Sequence, residues 1–404
     1  MKRTAVPLLA GLALTLALTP ALAQKKYDPG ASDTEIRFGQ SMPYSGPLSS
    51  YGTLGKTQLA YFKKINEEGG VNGRKLILRS LDDGYSPPRT VEATRRLVEQ
   101  DESLFIYSTI GTPTNTAIHR YLNARKVPQL LLSSGGSKWN DPKNFPWSIA
   151  GIPSYVTEGK IYAQHILKTM PNAKIAVLYQ NDDFGEDYFS GVKQGLGDKT
   201  AMIVADASYE ASDPTVDSQM VGLKASGADV FINIASPKFA ASAIRKAADI
   251  GWHPTQYLVQ ISSSVGAVLK PAGLDKAVGI LTVMYLKEPL DKQWAEDAGV
   301  QRYVAFMKKY YPEGDLSDGM NVLAANSAQV LVQILKQSGD DLTRENIMRQ
   351  AANLKDLRTD MLLPGITINT SPTDFELIDQ MQLARFDGTQ WVRIGEVLSS
   401  GTSN

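Results

Sequence analysis

From Glu35 the chain reads EIRFGQSM, a stretch of mixed apolar and polar positions that predicts a first strand. A loop follows, PYSGPLSSYGTLG, with the Gly and Pro of turns and a dense set of hydroxyls. In TQLAYFKKI, residues 57–65, apolar residues return at helical spacing, and Leu59, Phe62 and Ile65 are expected to form the core face. NEEGGVNGRK stops that helix, because Gly69 and Gly70 tolerate positive φ and Asn72-Gly73 is a turn signal. KLILRSLDD is the next predicted strand and SPPRTVEATRRLVEQ the next helix, with Pro87 and Pro88 at its start, where a missing N–H is harmless.

The alternation continues. SLFIYSTI, VPQLLLSS, AKIAVLYQ, MIVADASY, ADVFINIA and PTQYLVQIS read as strands, and helical patterns lie between them. Strands and helices exchanging at this spacing give right-handed βαβ units on mostly parallel sheets, so the fold class is α/β. Residues 150–156 and 279–289 have linker character. Two longer helical patterns run from Asp291 to Tyr310 and from Met320 to Lys336, and short strands with an Asp387-Gly388 turn close the chain. The segment KKYDPGASD and the terminal SSGTSN are expected to be mobile.

Composition narrows the picture. Met1, Lys2 and Arg3 precede an apolar run to Ala23 that ends Ala21-Leu22-Ala23, the order of a secretory signal peptide over residues 1–23. A retained membrane anchor is the alternative, and the small-x-small end argues against it. The remaining 380 or so residues suit two domains. With 42 basic and 42 acidic residues and no basic block, nothing points to nucleic acid. The chain has no Cys, which excludes disulfides and a lipid attached through an N-terminal cysteine.

Signatures of catalysis are scarce. The chain has no dinucleotide or phosphate-binding glycine loop and no nucleophile elbow, and its three His, at 119, 165 and 253, are far apart. No catalytic residue, metal or cofactor is therefore expected. Asp82 and Asp83 read as a helix cap and a brace for their turn, in preference to a metal pair. Four loops stand at predicted strand ends, where open α/β sheets bind ligands: Ser45–Gly52, Thr112–Asn115, Ser133–Ser137 and Asp182–Glu186. Their hydroxyls and backbone N–H groups are suited to gripping a carboxylate.

The segments IRFGQSMPYSGPLSSYG, AYFKKINEEGGVNGRKLILRSLDDGYSPPRTVEATRRLVEQD and VLYQNDDFGEDYFSGVKQGL resemble the extracytoplasmic solute-binding proteins of the branched-chain amino acid type. The resemblance covers most of residues 34–350. It implies a periplasmic protein, expected to be monomeric, that hands its ligand to an ABC permease and ATPase in the inner membrane. It also implies two Rossmann-like lobes joined by three crossings: residues 33–150 plus 283–362, and 153–280 plus 366–397. By the same resemblance, Tyr51 lies against the ligand, Thr114 and Ser137 hold its carboxylate with a backbone group of Gly135, and Phe184 covers it. Ser154 stands where an Asp is common. Ala235 or Ser236 stands where an aromatic is expected, and Ser262 lies where relatives place the acid that pairs with an amino group. The missing acid favours an organic acid, in the order aromatic carboxylate, aliphatic carboxylate, amino acid, and the missing aromatic is expected to leave room for a ring. Amides and urea stay open. Rival classes are a sensor for a membrane receptor, an enzyme of the same architecture and a structural protein.

Overall fold

The structure, a computed structural model, describes residues 25–399. The expected signal peptide lies outside the described residues. Among those described, no helix is long and apolar enough to cross a membrane.

Two sheets organise the molecule. The first carries five parallel strands in the order Lys75–Asp82, Glu35–Met42, Ile106–Tyr107, Gln129–Leu132 and Ser148–Ala150. The second carries seven: Trp391–Ser399, Gln380–Phe386, Leu281–Met284, Thr255–Leu258, Val230–Ile234, Ile175–Gln180 and Ile203–Tyr209. The last five of these are parallel, and the C-terminal hairpin adds to them antiparallel. Buried runs such as VFINI in the second sheet are continuous because helices cover both faces. The result is a bilobed α/β protein with parallel central sheets.

The chain crosses between the lobes more than once. After Ser148–Ala150 it enters the helix Tyr155–Thr169, which is tied to the second sheet by the Tyr162 hydroxyl donating to Leu258 O at 2.8 Å. Beyond Leu281–Met284 it returns, and the helices Ala298–Tyr310 and Gly319–Ser338 pack on Gly52–Glu67 of the first lobe. There the Thr53 and Thr57 hydroxyls donate to Asn321 Oδ1 at 2.9 and 2.6 Å, and the Tyr61 and Phe306 rings meet at 5.0 Å. Leu286 then bridges Leu362 antiparallel, where two crossings run side by side before the final hairpin.

Local differences from the sequence reading have physical causes. The first helix starts at Gly52, and Leu59 is 40% exposed while Thr57 and Gln58 are buried. Gln58 is buried because its amide donates to Tyr107 Oη and Ser108 Oγ at 3.0 and 2.9 Å, a polar core that an apolar-periodicity reading passes over. The strand expected over SLFIYSTI is only Ile106–Tyr107, because Ser108 takes a φ of 51° and leaves the ladder. Lys26–Tyr27, within a segment expected to be mobile, pairs with Asp341–Leu342, and Arg74 Nη2 donates to the Tyr27 hydroxyl at 2.7 Å.

Candidate ligand-binding cleft

Because five strands of each sheet are parallel, their carboxyl ends deliver loops to one edge. The two edges meet around a cavity lined by Tyr51, Tyr85, Ile110, Gly111, Thr112 and Ser133 of the first lobe. From the second come Tyr155, Gln180, Phe184, Ser236 and Ile261. Its free volume is about 10 Å³, room for about one water molecule, so the lobes are closed on each other.

Aromatic rings make most of the wall. Tyr51 and Tyr85 stack at 6.3 Å, and across from them Tyr155 meets Phe184 edge-on at 5.3 Å and stacks on Tyr188 at 4.5 Å. Burial and the nearby Asp182 carboxylate raise the Tyr51 and Tyr85 phenols well above their ordinary value, and burial raises Tyr155 to about 12, so these hydroxyls keep their protons.

The polar groups form two sets. In the first lobe, Thr112 Oγ1 lies 2.8 Å from Ser134 Oγ, and Ser133 Oγ lies 2.9 Å from Ser108 Oγ. The helix Thr112–Ala124 begins here with no side-chain cap, its second residue being Pro113, which lacks an N–H. In the second lobe the Tyr209 hydroxyl donates to Gln180 Oε1 at 3.0 Å, and Gln180 Nε2 donates to Asp182 Oδ2 at 2.6 Å. Asp182 caps the helix Asp183–Leu196 by accepting from Phe184 N and Gly185 N at 3.0 and 3.4 Å. Burial raises its carboxyl above the ordinary range. Among the described residues no charged side chain lines the cavity, and Asp182 stands behind Gln180. Among the described residues no group of His, Asp and Glu is placed to hold a metal ion.

The structure brings Tyr51 and Phe184 together in the cavity wall. Ala235 and Ser262 lie buried behind it, where the Ser262 hydroxyl donates to Ala235 O at 2.6 Å, and Ser236 is the residue of that pair that reaches the wall. Thr114 is turned away: its hydroxyl donates to the Ile110 and Gly111 carbonyls, the back-bond common to helix hydroxyls, and has no proton left for a carboxylate. Gly135, Ser137 and Ser154 line a separate outer groove. Ser137 donates its hydroxyl to Asp187 Oδ1 at 2.9 Å, and Ser154 caps its helix at Thr157 N. Nor does the small residue near Ala235 leave space for a ring. The closed cavity has room for about one water, and Tyr209 packs beside this segment, its hydroxyl accepting from Ser236 N at 2.9 Å and its ring 4.4 Å from Phe239.

Sequence reasoning missed Tyr85, Tyr155, Gln180 and Ile261. Thr112 and Ser133 lie in loops it singled out, but their neighbours were chosen instead. Asp82 and Asp83 do not cap the next helix, whose N-cap is Ser86. Asp82 Oδ1 accepts from Tyr44 N, Ser45 N and Gly84 N at 2.9, 3.1 and 3.1 Å, and Asp83 Oδ1 accepts from Tyr85 N at 2.9 Å. The acidic turn therefore aims a cleft residue.

A family model described as periplasmic binding protein matches residues 35–390. The chain belongs to that family. It is a non-catalytic, periplasmic protein, the solute-binding component of an ABC importer. It is 23% identical over 390 residues, 93% of each chain, to "Leu/Ile/Val-binding protein homolog 7" of Brucella abortus (strain 2308). The fold is that of a branched-chain amino acid ABC transporter protein from Thermus thermophilus with bound valine, with a TM-score of 0.81, 15% identity, and 91% of this chain and 98% of that one covered. A fatty acid ABC transporter substrate-binding protein from Thermomonospora curvata superimposes with a TM-score of 0.76 at 20% identity, covering 93% and 95%.

Proposed function

We propose that this periplasmic binding protein captures a branched-chain amino acid between its lobes and presents the closed form to its permease. The lobe limits we propose are residues 33–150 plus 283–362 and 153–280 plus 366–397. The observation that carries the ligand reading is the wall itself: Ile110, Ile261 and the rings make it largely apolar, suited to an aliphatic side chain once the lobes part to admit one, and polar groups sit at two separate places. The Thr112 and Ser133 hydroxyls and the start of the helix Thr112–Ala124 receive the carboxylate. Gln180 Oε1, backed by Asp182, and the faces of Tyr51 and Tyr155 receive the ammonium. The Leu/Ile/Val-binding relative and the valine-bound neighbour support the same class. This replaces the expectation of an aromatic acid, because the Leu/Ile/Val-binding relative and the valine-bound neighbour favour the amino acid alternative.

One observation favours a second reading, an aliphatic carboxylate: among the described residues no ionised side chain lines the wall to meet an ammonium, and burying that charge unpaired is costly. The similarity to a fatty-acid-binding neighbour agrees with it. Thermal-shift measurements on unfolded and refolded protein separate the two, because refolding strips ligand that would mask the shift. Leucine, isoleucine or valine should raise the melting temperature and isovalerate should not. Stabilisation by isovalerate alone would replace the amino acid by the carboxylate.

A further inference from the structure

The Asp-Asp turn has a use that capping leaves unexplained. Tyr85 sits at a φ of 61°, a left-handed backbone that a bulky aromatic side chain rarely adopts. Such outliers persist where the surroundings over-determine them, and they collect at ligand sites. Here the restraints come from both sides. Asp83 holds Tyr85 N through Oδ1 and accepts the Thr90 hydroxyl through Oδ2 at 2.9 Å, while Gly84, itself at a φ of 57°, is held by Asp82. On the far side the ring lies on Gly111: a Cβ there would stand 2.5 Å from Tyr85 Cε2 and 2.7 Å from its hydroxyl. Gly111 thus leaves the space that Tyr85 fills. The hydroxyls of Tyr51 and Tyr85 bond to no other group among the described residues, although both rings line the cleft.

We propose that Tyr85 is the specificity-determining residue of the cleft: locked in place by its turn, its ring closes the first-lobe wall and limits the length of the side chain the ligand carries. The inference rests on the proposed capture of a branched-chain side chain. A residue free to change rotamer would make a poor limit, since a larger ligand would push it aside. Tyr85 is held at its backbone, and its ring is wedged between Tyr51 and Gly111.

The test compares Tyr85→Gly, which suits the positive φ and opens the wall, with Tyr85→Phe, which keeps the ring. Titration calorimetry gives the affinity ratio of phenylalanine to valine for each, and thermal melts establish that each variant folds. Tyr85→Gly should raise that ratio about tenfold or more, the scale on which extra methylenes are discriminated, and Tyr85→Phe should leave it within about threefold. An unchanged ratio in Tyr85→Gly overturns the proposal. If the wild type binds carboxylates and no amino acid, the ligand reading fails by itself, and phenylacetate against isovalerate reads the same size limit. A wild type that binds neither series overturns both.

Discussion

Asp182 accepts from two backbone N–H groups and from Gln180, so its carboxylate both starts a helix and backs the Gln180 amide in the second-lobe wall. Asn serves nearly as well as Asp at such a start, so Asp182→Asn should leave the melting temperature close to that of the wild type. It removes the charge behind Gln180, and leucine affinity should fall about tenfold. An unchanged leucine affinity in calorimetry would mean that the ammonium is paired elsewhere. Gly111→Ala is the opposite kind of change. Its φ of 98° and the Tyr85 ring both oppose a methyl group, and a cost of roughly 1–3 kcal/mol should lower the urea midpoint. An unchanged midpoint would show that Tyr85 yields. Legibility at this scale followed the backbone. Tyr51 and Phe184 lie in two of the strand-end loops that the sequence displays, but their place at the ligand came from the family resemblance. Tyr85 does not announce itself, because its place depends on two glycines 27 positions apart in the chain, Gly84 and Gly111.

The helix Tyr155–Thr169 carries the buried carboxyl of Glu158, which accepts from the Tyr162 and Tyr188 hydroxyls at 2.7 and 2.8 Å and from Gln260 N at 2.7 Å. It thereby fixes the helix to the ring cluster behind the cleft and to the segment that presents Ile261. Burial outweighs those donors and raises the carboxyl from 4.5 to about 7. Since the folded value lies above the unfolded one, the contribution is whole below about pH 4.5 and is lost as pH rises through about 7. The loss is on the order of 3 kcal/mol. Glu158→Gln stays neutral, so its melting temperature should fall less than that of the wild type between pH 4.5 and 8. Parallel curves would mean that the three donors hold the ionised form without penalty. The strand and helix order was readable at this scale because apolar runs and Gly or Pro breaks are local. Strand lengths were not, since the left-handed turn at Ser108 is set by its tertiary surroundings.

Across the whole molecule, closure is held at the rim as well as around the cavity. Lys138 and Thr116 of the first lobe reach Asp183 of the second, and Ser137 meets Asp187 through its backbone N–H at 2.7 Å and its hydroxyl at 2.9 Å. The two carboxylates lie on the first turns of the helix Asp183–Leu196, on the lobe that moves away when the cleft opens. Ser137, expected at the ligand, is therefore a contact between lobes. The same limit applies to the interleaved path of the chain: linker-like stretches were visible at 150–156 and 279–289, but their return to the first lobe came only from the family resemblance. An ion pair this exposed contributes little, whereas the two-pronged grip on Asp187 adds charge-assisted bonds that exist only in the closed form. Asp183→Ala with Asp187→Ala should then remove roughly 1–2 kcal/mol from closure and weaken ligand affinity about five- to thirtyfold. Ligand-free scattering should give a larger radius of gyration, and the salt dependence of wild-type affinity should flatten in the variant. If affinity and radius both stay at wild-type values, the ligand and the ring wall close the lobes by themselves and the rim contacts merely follow.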